Sequence, residues 1–69
     1  MDSHYIISRL KSTPYKYPTV ALLQTRLNNL DEELKGEILS SLKKQLHMTS
    51  NIDILVPLEE LVYHLPNAS

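Results

Sequence analysis

The chain has 69 residues, no cysteine, a single glycine and a formal net charge of -1. A chain this short holds one domain that buries only about 60% of the surface its unfolded form exposes; its 42% apolar and 22% charged residues are globular usage and argue against disorder. Without cysteine there is no disulfide, thiolate metal site or cysteine nucleophile, and no apolar run approaches the ~18 residues of a membrane span.

The apolar inventory is thirteen leucines, five isoleucines, three valines and four tyrosines, with neither Phe nor Trp. Leucine-rich, glycine-poor composition favours helix, because straight-chain residues lose little rotamer freedom there and glycine is costly. The expected fold is mainly α, a small bundle of about four short helices forming one interaction domain over residues 1–69. Large aromatics supply much of the buried area in small cores, so a core built without Phe or Trp is expected to be completed by association.

Ser3 is a suitable N-cap for a first helix carrying Ile6, Ile7 and Leu10 on one face. That helix should end by Ser12, because Pro14 disfavours helix at the residue before it. Ser12 to Pro18, with two prolines and two tyrosines, reads as an ordered loop. Pro18 or Thr19 then opens a second helix to about Asn28. Its Val20, Leu23 and Leu27, continued by Leu30, form an apolar stripe, and Leu22 lies off it.

Asp31 is a suitable N-cap for the third helix, with Glu32 and Glu33 at the positive end of its dipole. Leu34, Ile38, Leu42 and Leu46 step by four, and the first three are expected to line its most buried face. Gly36 reads as a surface glycine, with a close helix crossing as the alternative. Residues 49–51 form a turn. Ile52 to Val56, with three β-branched residues in five, predicts a short β-strand near residues 52–56, and Pro57 would open a last helix carrying Leu58, Leu61, Val62 and Leu65.

No constellation for catalysis or metal binding emerges. His4, His47 and His64 occupy different segments without a ligand spacing. Capping accounts for Asp31, Glu32 and Glu33, and Glu37 belongs on the solvent face. No glycine-rich loop is present to cradle a phosphate or expose a nucleophile. Catalytic, cofactor and metal residues are therefore expected to be none, and the protein is expected not to be an enzyme. With no basic and apolar leader at the N-terminus, a cytoplasmic location is expected.

Charge asymmetry is the feature above background. Arg9, Lys11, Lys16 and Arg26 against Asp2 give residues 1–26 a charge of +3; three lysines against seven acids give residues 27–69 a charge of -4. The two halves either satisfy each other, within the fold or across a dimer, or the four cations contact an acidic partner or phosphates. A helix-turn-helix reading would bring Glu32, Glu33 and Glu37 towards phosphates, which disfavours it, as does the pI near 6.2. The expected function is a protein–protein interaction module (adaptor, regulatory subunit or assembly factor), with itself or another protein as partner and no membrane contact. A nucleic-acid regulator is the alternative. The expected contact residues are Leu22, Leu39, Ile54, Val56, Leu58, Val62 and Tyr63.

Overall fold

The computed structural model describes residues 1–64. Asp2, rather than Ser3, caps the first helix, α1 (Ser3–Ser12): its carboxylate accepts the Tyr5 N–H at 2.8 Å. The helix stops at Thr13, as the following proline dictates. The expected loop over residues 12–18 contracts at both ends. Ser12 belongs to α1, and α2 (Lys16–Asn28) already contains Pro18. Pro18 is tolerated there because the first turn of a helix has no use for its missing N–H.

After Asp31, α3 (Glu32–Met48) runs unbroken through Gly36, and an added Cβ at Gly36 would meet nothing within 4 Å. This is a surface glycine, not a close crossing. At the other end the Thr49 hydroxyl donates to the Gln45 carbonyl at 2.7 Å, which helps satisfy the exposed end of α3.

Residues 52–56 are helical, not a strand: α4 spans Ile52–Tyr63 and contains Pro57. Asn51 decides the outcome. Its side chain accepts the Asp53 N–H at 3.0 Å, and its carbonyl accepts the N–H groups of Ile54 and Leu55 at 3.1 and 2.8 Å. The helix is therefore nucleated ahead of the proline. Pro57 then removes a single intrahelical bond, to the carbonyl of exposed Asp53 one turn back, which water can satisfy, and its ring is buried against the core. Leu65 lies outside the described residues.

The connections set a definite arrangement. The Gln24 side-chain amide donates to the carbonyls of Glu60 and His64 at 3.2 and 3.3 Å, and Tyr17 borders one depression with Ile52 and Val56. Hence α2 and α4 run parallel. The hydroxyls of Ser3 and Ser41 meet at 2.8 Å, and Lys11 lies beside Gln45, so α1 and α3 run parallel too. Helix α4 packs against all three others, whereas α2 and α3 do not pack along their lengths.

The core lies between these helices. Ile6 and Leu10 come from α1, Val20, Leu23 and Leu27 from α2, and Ile38, Leu42 and Leu46 from α3; α4 adds Ile54, Leu58, Leu61 and Val62. Each fully buried Leu or Ile contributes about 1.5–3 kcal/mol relative to exposure. Leu34 does not join them and remains 41% exposed. The Ser3–Ser41 contact places the start of α1 level with Ser41, so Leu34, about two turns earlier on α3, projects past the end of its neighbour. Among the described residues no helix is long and apolar enough to cross a membrane.

Candidate interaction surface

Helix α4 is apolar on more than its buried side. Ile54, Pro57, Leu58, Leu61 and Val62 face the core. On the opposite side Ile52, Val56, Glu59 and Tyr63 follow at i, i+4, i+7 and i+11 and form one outward stripe. Its apolar members are 67%, 46% and 59% exposed. Asp53 and Glu60 lie along one edge of it, so α4 carries three carboxylates and no cation within Ile52–Tyr63. Tyr17 of α2, itself 67% exposed, stands at the edge of this stripe beside Ile52 and Val56.

The expected contact residues therefore divide. Val56 and Tyr63 lie on the outward stripe, and Leu22 is exposed on α2. Ile54, Leu58 and Val62 are core residues, and Leu39 is half-buried against the core. The division follows from helix phase: once 52–63 is helical, Ile54, Leu58 and Val62 share one side and Ile52, Val56 and Tyr63 share the other. Ile52 and Tyr17 were not among the expected contacts. Ile52 becomes legible as soon as Val56, four residues on, is read on a helix.

The four N-terminal cations occupy separate places. Lys16 is turned inward and its Nζ donates to the carbonyls of Leu10 and Thr13 at 2.6 and 2.8 Å. Lys11 borders the groove between α1 and α3, together with Ile7 and Gln45. Arg26 lies beside Met1, Asp2 and Tyr5 at the seam between α1 and α2. Arg9, one turn beyond Tyr5, continues along that seam. Leu22, one turn before Arg26, belongs to it as well.

The charge imbalance follows the helices. Arg9, Lys11, Lys16 and Arg26 are the only charged residues of α1 and α2, whereas α4 is purely acidic. Among the described residues no cation forms an ion pair with a carboxylate, so the two halves do not satisfy each other by direct pairing within the fold. His4, His47 and His64 are exposed, and no group of three or more metal-ligating side chains occurs among the described residues. Comparison with protein-family models, with curated proteins and with solved structures finds no match to this chain.

Proposed function

We propose that this protein works by contact, as a protein–protein interaction module of the adaptor, regulatory-subunit or assembly-factor kind. The observation that carries this reading is the outward stripe Ile52, Val56 and Tyr63 on a helix whose other side is already fully used in the core. Three large exposed apolar side chains on one side of the helix, with Glu59 between the last two and Asp53 and Glu60 along one edge, give a contact surface of mixed apolar and acidic character. Tyrosine adds contact area at low entropic cost. The alternative reading, contact with nucleic-acid phosphates through the N-terminal cations, draws less support. Lys16 is engaged with backbone carbonyls and the other three cations point to two different sides. The test is a photo-activatable cross-linker placed at Tyr63 and, separately, at exposed Ser40 on the far side of α3, with adducts read by mass in the native cell extract. The contact reading expects discrete protein adducts from position 63 and none from position 40. Equal or absent labelling from both positions would overturn it.

A further inference from the structure

Two carboxylates line the edge of the α4 stripe that faces α2. Asp53 and Glu60 lie seven residues apart, two turns or about 10.5 Å along the axis. The register across this edge is fixed at both ends. Tyr17 of α2 shares a depression with Ile52, Asp53 and Val56, and the Gln24 amide donates to the Glu60 carbonyl. The α2 residues along the edge, Tyr17, Ala21 and Gln24, carry no charge. Lys16 borders the same depression, but its Nζ is committed to the carbonyls of Leu10 and Thr13. Among the described residues Asp53, Glu59 and Glu60 form no ion pair. An exposed aromatic ring stands near each end of the edge, Tyr17 beside Asp53 and Tyr63 one turn after Glu59 and Glu60.

We infer that the partner covering this stripe is a basic amphipathic helix of another protein, which rests on the contact reading and supplies its occupant. Because α4 is helical throughout, it offers no strand edge to an extended peptide, whereas a helix can lay its own apolar side along Ile52, Val56 and Tyr63. Those three positions span eleven residues, about 16 Å, so the docking helix needs about three turns. Cations two turns apart on one flank of that helix fall on Asp53 and Glu60. Arginine suits both places, because a guanidinium pairs with a carboxylate and stacks on the neighbouring tyrosine ring. The same charges disfavour other occupants. A second copy laying its own α4 here would set three carboxylates against three, with no cation on either helix. Phosphate-bearing surfaces carry the same sign.

The test uses three synthetic helical peptides that share a leucine stripe at i, i+4 and i+11. They differ only at two flank positions seven residues apart, which hold arginine, glutamine or glutamate. Binding to the full chain is read by fluorescence anisotropy at low and high salt. The arginine peptide should bind at least ~10-fold more tightly than the glutamine peptide and weaken with salt, and the glutamate peptide should bind least. Neutralising the edge, with Asp53→Asn and Glu60→Gln together, should bring the arginine and glutamine peptides within about 3-fold of each other. Reversing it, with Asp53→Lys and Glu60→Lys, should make the glutamate peptide the tightest. Val56→Asp should weaken all three. Glu33→Lys with Glu37→Lys, at exposed positions of α3, changes the net charge as much as the reversal does and should leave every affinity within about 2-fold. Helical ellipticity checks the fold of each variant.

No binding of the arginine peptide, equal affinities for all three, an order that the edge variants leave unchanged, or an equal loss from the α3 variant would overturn the inference. Self-association of the chain that Val56→Asp abolishes would overturn it too, by placing a second copy on the stripe. If the peptides fail while position 63 still cross-links to another protein, the basic helix falls and the contact reading stands. Loss of cross-linking as well would remove both.

Discussion

Lys16 Nζ lies 2.6 Å from the carbonyl oxygen of Leu10, so the first residue of α2 caps the last turn of α1. The final carbonyls of a helix have no intrahelical donor, and a cation there is favoured by the helix dipole. The same ammonium reaches the Thr13 carbonyl at 2.8 Å, which pins the short connection over residues 13–15. Replacing Lys16 with Met keeps most of the stem and removes the donor. Lys16→Met should lower stability by about 1–2 kcal/mol, read as a shift in the urea midpoint at unchanged slope. A midpoint equal to the wild type would mean that this cap carries no weight.

Gly36 gives a prediction of opposite sign. It sits inside α3, and a Cβ there meets open space. Gly36→Ala should raise stability by about 0.5–1 kcal/mol, because glycine loses more backbone freedom on entering a helix than alanine does. Thermal unfolding followed by ellipticity checks it; a lower melting temperature would show a crowded position.

The core of α3 can be mapped by truncation. Leu42 is fully buried and Ile38 nearly so, while Leu34 on the same four-residue step is 41% exposed. Ile38→Ala and Leu42→Ala should each cost about 2–5 kcal/mol, against less than about 1 kcal/mol for Leu34→Ala. Denaturant unfolding of the three variants compares them directly. Equal costs at Leu34 and Leu42 would place Leu34 in the core.

Much of this arrangement is legible in the sequence, because leucine spacing writes helix phase directly. Val20, Leu23 and Leu27 on α2, and Ile38, Leu42 and Leu46 on α3, are buried as their spacing requires. Leu34 shows the limit: phase says which side a residue faces, not whether a neighbouring helix reaches that level. Residues 52–56 show another. Two β-branched isoleucines and a valine ahead of a proline look extended locally, but the Asn51 cap and a core that needs Leu58, Leu61 and Val62 on one side favour helix. That one change of state moves Ile54 inward and brings Ile52 into the outward stripe. Lys16 shows a third limit, since a charge count cannot tell a free cation from one bonded to carbonyls six and three residues back.

Helix α4 itself predicts a spectroscopic signature. Backbone carbon shifts should be helical from Ile52 through Tyr63, across Pro57, and the amides of Leu58, Leu61 and Val62 should exchange slowly within the closed core. Extended shifts at Ile54 to Val56 would restore the strand and dissolve the outward stripe.

The claim that the outward stripe of α4 is the contact face is tested most directly by recording amide and side-chain resonances of the labelled chain as native cell extract is added. Ile52, Val56, Glu59 and Tyr63 should shift or broaden together, while Gly36, Ser40 and Lys44 on the far side of α3 stay fixed. Changes confined to the Ser40 and Lys44 side, or none at Val56 and Tyr63, would contradict it.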